Sequence, residues 1–120
     1  MIGFFKEKDL KMEIHKKSEN VILVVCPPKP KIDQGLEQLI IVIRERTTNV
    51  IVDFSRVDII TASNISALLK LRKFLRDEGH RLILSGLDSR IRNIFVTTKL
   101  HQIFEFAHNE SAALALLEVA

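Results

Sequence analysis

The chain has one cysteine, four glycines and three prolines, and it has neither tryptophan nor tyrosine. Each scarcity excludes something. The single thiol, Cys26, cannot form an internal disulfide or complete a structural zinc site. Its place at the end of an apolar run makes it a small core residue. With phenylalanine as the one aromatic type, surfaces that stack sugars or bases are disfavoured. The glycines form neither a Gly-x-Gly-x-x-Gly pattern nor a Walker-type loop, so no nucleotide cradle is expected. No serine sits in a Gly-x-Ser-x-Gly elbow. His15, His80, His101 and His108 lack short metal-ligand spacing, so neither a metal nor a cofactor is expected. No window approaches ~18 apolar residues, and no membrane-spanning helix is expected. Met1-Ile-Gly-Phe-Phe gives way at once to Lys6-Glu-Lys-Asp, so no signal peptide is expected, and a reducing, cytoplasmic setting is the expectation.

Neither sign of charge dominates. Eighteen basic and fifteen acidic residues leave a net charge of +3. The positive charge divides between Lys6, Lys8, Lys11, Lys16 and Lys17 near the start and Lys70, Arg72, Lys73, Arg76 and Arg81 in the middle. Neither group is a consecutive block, which fits solvated faces better than a nucleic-acid surface.

What is present is an ordinary globular composition, 47% hydrophobic and 28% charged over 120 residues. That length predicts one domain, 1–120, with 1–10 as a flexible or strand-forming lead-in. Met12-Glu-Ile14-His-Lys-Lys alternates as a half-exposed strand does, and Val21–Cys26 is a β-branched buried strand; Ser18-Glu-Asn20 is the turn between them. Pro27-Pro-Lys-Pro30 ends the second strand and serves as a connector. Asp33 is placed to cap a helix whose apolar face is Leu36, Leu39, Ile40 and Ile43. Gly79 stops the central helix, and Leu82–Leu84 is a short strand closed by Ser85-Gly86. Asp88 or Ser89 caps a helix built on Ile91, Ile94 and Phe95, and Ile103–Phe106 is a period-two strand. Asn109 or Ser111 caps a final helix, Ala112–Val119. The order β-β-α-β-α-β-α-β-α predicts an α/β fold with a mixed, mostly parallel sheet and helices packed on it.

The stretch 49–79 carries the chemistry. Val50-Ile51-Val52 is a buried strand, and Asp53 to Asp58 is a polar interruption. Thr61-Ala62-Ser63-Asn64 then opens an amphipathic helix that runs to about Glu78. Hydroxyls at the positive end of a helix suit an anionic group, but a plain helix cap by Thr61 or Ser63 is the commoner use of such residues. Asp53 and Asp58 flank this turn as a conceivable carboxylate pair, but a strand-end aspartate bonds turn backbone more often. With no base, metal set or phosphate loop, a binding module is favoured over an enzyme.

The element order and the run from Asn49 to Phe106 resemble the STAS domain, found in bacterial anti-sigma-factor antagonists and in the tails of sulfate transporters. The resemblance rests on Val-Ile-Val-Asp-Phe-Ser-Arg-Val-Asp-Ile-Ile, the hydroxyl-bearing helix start, Leu-Leu-Lys-Leu-Arg-Lys-Phe-Leu-Arg-Asp-Glu-Gly-His-Arg-Leu-Ile-Leu-Ser-Gly, and the later Ile-Arg-Asn-Ile-Phe and Leu-His-Gln-Ile-Phe. Family antagonists commonly read Asp-Ser-Ser/Thr-Gly at the helix start, with the third residue phosphorylated. Here those places hold Thr61, Ala62, Ser63 and Asn64, so the acceptor is kept while the acid and the glycine are replaced. The resemblance implies a bacterial transcription-regulating phosphoprotein. Its partner would be an anti-sigma factor or serine protein kinase of the histidine-kinase-type ATPase fold, released by phosphorylation of Ser63. The implied contact surface is Lys31, Asp33, Arg56, Thr61, Ser63, Asn64 and Ser66. The alternatives are an unphosphorylated STAS scaffold subunit of a signalling or lipid-transport complex and, more remotely, a hydrolase using Ser63.

Overall fold

The computed structural model describes residues 3–4, 12–46 and 48–118. The basic lead-in at Lys6, Lys8 and Lys11, and the helix end at Val119, lie outside the described residues. In chain order the elements are β1 (Gly3–Phe4), β2 (Glu13–Ser18), β3 (Val21–Val25), α1 (Ile32–Arg46), β4 (Asn49–Asp53), α2 (Ala62–Asp77), β5 (Leu82–Ser85), α3 (Ser89–Thr97), β6 (Glu105–Ala107) and α4 (Glu110–Glu118). The strands form one sheet in that same order. The first three are antiparallel neighbours and the rest are parallel. The α/β order read from the sequence is therefore the order of the fold, with β1 added at the sheet edge.

This topology decides where the helices go. Each parallel strand is laid beside the previous one through a helical crossover, and crossovers of one hand place their helices on one face. Accordingly α1 (Leu36, Leu39, Ile43), α2 (Leu68, Leu71, Leu75) and α3 (Ile91, Phe95) share a core with Ile22, Val24, Val50, Val52, Leu82 and Leu84. Alternate strand residues Val21, Leu23, Val25, Ile51 and Ile83 point the other way and pack with Ala113 of α4. Arg81 fastens that lone helix: its guanidinium pairs with Glu105 through Nε (3.0 Å) and Nη2, and Nη1 donates to the Leu116 carbonyl at 3.1 Å. The Glu105 hydrogen bond holds the Arg81 pKa above its ordinary value.

Three boundaries follow from local chemistry. Asp88 and Asn109 cap α3 and α4 as their positions suggest, accepting from the Ile91 and Ala112 amides at 2.9 Å each. The Ile91 and Arg90 bonds hold the Asp88 carboxyl below its ordinary pKa. Gly79 adopts φ +79° after α2, with its amide on the Arg76 carbonyl and the His80 amide on that of Leu75, a Schellman stop. Two expectations are corrected. Asp33 does not cap α1: the helix begins at Ile32, the Gln34 and Gly35 amides bond to the Lys31 carbonyl, and Asp33 sits in the first turn. The strand expected at Ile103–Phe106 is Glu105–Ala107, because Lys99 (φ 64°) starts a 3-10 turn and the Ile103 and Phe104 amides fold back to the Leu100 carbonyl.

Two hydrogen bonds hold the loop after β4 in place. Cys26, at 0% exposure, donates its amide to the Asp53 carbonyl at 3.1 Å, and burial pushes its thiol pKa up to about 12. Asp53 Oδ1 accepts the Ser55 amide at 2.8 Å, so it bonds the turn as its strand-end position suggests. Gly86, at φ +72°, lies against this turn; a Cβ there would meet Asp53 Oδ1 at 3.1 Å and Ser55 Cβ at 3.2 Å. A left-handed alanine costs roughly 1–2 kcal/mol, and the close approach adds to it. Gly86→Ala is expected to lower the urea midpoint accordingly. An unchanged midpoint would mean that the turn gives way freely.

Candidate functional site

The parallel pairing of β3 with β4 puts their following loops at one edge of the sheet. These loops are joined directly. The Asp58 and Ile59 amides donate to the Pro28 carbonyl at 2.8 and 3.4 Å. The starts of α1 and α2 consequently lie side by side, each presenting the positive end of a helix dipole.

The four residues at the start of α2 divide the work. Thr61 is extended (φ −105°, ψ 166°), and its hydroxyl accepts the Asn64 amide at 3.1 Å. It is the cap. Asn64 is 1% exposed, and its Oδ1 accepts the Ile32 amide at 3.1 Å, so a side chain of α2 caps α1. Its Nδ2 is buried with no hydrogen-bond partner. Ala62 and Ser63 are exposed, and no hydrogen bond to the Ser63 hydroxyl occurs among the described residues. Ser63 is thus left free for chemistry because its neighbour does the capping.

Ser63 stands on a rim between two shallow concavities. One, of about 360 Å³, is walled by Lys29, Pro30, Lys31, Gln34, Ile59 and Thr61. The other, of about 330 Å³, runs along the α1–α2 groove past Leu36, Ser66 and Lys70. Asp33 borders both. Of the residues expected to share a surface, Lys31, Asp33, Thr61, Ser63 and Ser66 come together here. Asn64 reaches this place but points inward, so the side chain that replaces the motif glycine does not project toward a partner. Arg56 is exposed on the same loop but borders neither concavity, and its Nη1 pairs with Glu13 of β2 at 3.2 Å. Ile59, 53% exposed, was not anticipated. In the Ile59-Ile60 pair the sequence does not mark which one is buried. No cluster of three or more His, Cys, Asp or Glu suited to a metal occurs among the described residues. No described helix is long and apolar enough to cross a membrane.

Known structures share this architecture. Unphosphorylated SpoIIAA, an anti-sigma factor antagonist of Bacillus, superposes with a TM-score of 0.78 at 15% identity, covering 91% of this chain and 97% of that one. An RsbS variant from Moorella thermoacetica gives 0.75 at 17% identity, with coverages of 89% and 94%. The murine Slc26a9 anion transporter gives 0.70 at 17% identity; 88% of this chain matches 19% of the transporter. None of the curated proteins matches the sequence. The STAS domain family model matches residues 4–113, and with that span the chain belongs to the STAS domain family.

Proposed function

We propose that this protein is a phosphorylation-controlled binding module of the anti-sigma-antagonist kind. The surface formed by the starts of α1 and α2 docks a protein partner, an anti-sigma factor or serine kinase of the histidine-kinase-type ATPase fold. The observation that carries this reading is the exposed Ser63 hydroxyl at the second position of α2, relieved of capping by Thr61. A phosphate there adds nearly two negative charges. The two helix starts, with Lys31 and Lys70 nearby, tolerate that charge within the domain. A partner surface matched to a neutral hydroxyl does not. A coupling of about 1–3 kcal/mol, or roughly 5- to 150-fold in affinity, suffices for a switch.

The test pairs the protein with a serine kinase of this class and ATP. Mass spectrometry is expected to place one phosphate on Ser63, and Ser63→Ala to remove it. Ser63→Asp is expected to weaken partner binding by at least tenfold, while Ser63→Ala binds as the parent does. The second reading, an unphosphorylated scaffold subunit, draws on one observation: Thr61, Ala62 and Asn64 all depart from the acceptor motif, so the motif's own carboxylate is replaced. It requires that Ser63→Asp and Ser63→Ala bind alike and that no phosphate is found.

A further inference from the structure

A second site lies at the opposite end of α2 from Ser63. Arg72, Arg76, His80, Arg81, Leu82, Ile103 and Glu105 enclose a pocket of about 90 Å³. Its charges are unequal once the pairings are followed. Arg81 and Glu105 neutralise one another, and the third Arg81 nitrogen is taken by the Leu116 carbonyl. Arg72 is oriented differently: its Nε donates to the Ile103 carbonyl at 3.0 Å, which fixes the plane of the guanidinium and leaves both terminal nitrogens unassigned. Neither Arg72 nor Arg76 has a carboxylate partner among the described residues. Two uncompensated guanidiniums and one imidazole therefore border the same small space.

The setting limits what would fill it. Anions are disfavoured by a helix C-terminus. Here, however, the Phe74, Leu75 and Arg76 carbonyls are occupied by the Glu78, Gly79 and His80 amides. The remaining half-charge is small against two full ones. Nucleotide-sized ligands usually occupy roughly 300–1,000 Å³, far more than this pocket offers, and no phenylalanine lines it for a base to stack on. Guanidinium forks match tetrahedral and planar oxyanions bidentately. Leu82 and Ile103 give the space an apolar wall, which reduces screening by water.

We propose that this pocket binds a single phosphate group, as inorganic phosphate or as the head of a small phosphomonoester, independently of Ser63. The test is a titration of the protein with inorganic phosphate, and separately with glycerol 3-phosphate, at constant ionic strength, followed by NMR. Saturable shifts are expected at the Arg72 Nε–H and at the Leu82, Ile103 and Glu105 amides. Response to both ligands assigns free phosphate; response to glycerol 3-phosphate alone assigns the monoester. Arg76→Gln changes an exposed side chain without a recorded partner, so the fold is expected to persist, checked by an unchanged thermal melt, while affinity falls at least fivefold. Arg72→Gln is expected to do the same. The proposal is overturned if chloride produces the same shifts, if the shifts fall at the Ser63 and Asn64 amides instead, or if Arg76→Gln leaves the isotherm unaltered.

Discussion

Phe95→Ala is expected to remove about 3–5 kcal/mol of stability, a large share of the roughly 5–15 kcal/mol that holds a domain together. Phe95 is completely buried at 0% exposure. Its ring meets Phe104 edge-on at 5.6 Å and 87°, and Phe106 at 5.5 Å and 78°. These three rings join α3, the bend that follows the 3-10 turn, and β6, the last strand of the sheet. Truncating the central ring leaves a cavity bordered by β6, which cannot collapse inward without losing its strand pairing to β5. The expected fall in Tm is on the order of 10–20 °C. Val96→Ala, one residue along and 44% exposed, is the internal control and should stay within about 0.5 kcal/mol. A Phe95→Ala loss below about 1 kcal/mol would show that the cluster repacks, and the account of how β6 is held would fail.

How much of this was legible in the sequence depended on how local the determining interaction is. The strands Val21–Val25 and Asn49–Asp53 and the helices α2 and α3 announce themselves through composition and periodicity, because these strands bury both faces and the helices one. The caps at Asp88 and Asn109 were readable because each lies three residues before the amide it accepts. The α1 start was not, since its buried cap comes from Asn64, 32 residues away. Ile103-Phe104-Glu-Phe106 has strand alternation, yet two amides turning back to Leu100 override it. At the candidate site the sequence marked Ser63 and the two converging loops. It could not say that Asn64 points inward, that Arg56 is held by Glu13, or that Ile59 rather than Ile60 stays outside. Each of these depends on a contact between segments far apart in the chain.

The substitution that returns the family's glycine to the helix start, Asn64→Gly, is expected to destabilise this protein by about 1–3 kcal/mol. Removing the side chain leaves the buried Ile32 amide without its acceptor, which costs roughly 1–3 kcal/mol. Glycine inside a helix costs about 1 kcal/mol relative to alanine, of which asparagine already carries more than half, so the change adds a few tenths of a kcal/mol. Loss of the unpartnered Nδ2 returns part of this and keeps the total from rising further. Asn64→Ala separates the terms. It omits the glycine cost, and because Thr61 accepts the backbone amide at this position rather than the side chain, the α2 cap survives. The loss should therefore be smaller than for glycine and confined to the start of α1. Hydrogen exchange locates it: the Ile32 amide should exchange at least tenfold faster in Asn64→Ala, while the β4 amides keep their protection relative to global unfolding. If the Ser63 surface is one docking site made of two helix starts, the same variant should weaken partner binding with the Ser63 hydroxyl untouched. Unchanged exchange at Ile32 would mean that the two helix starts are not fastened through Asn64.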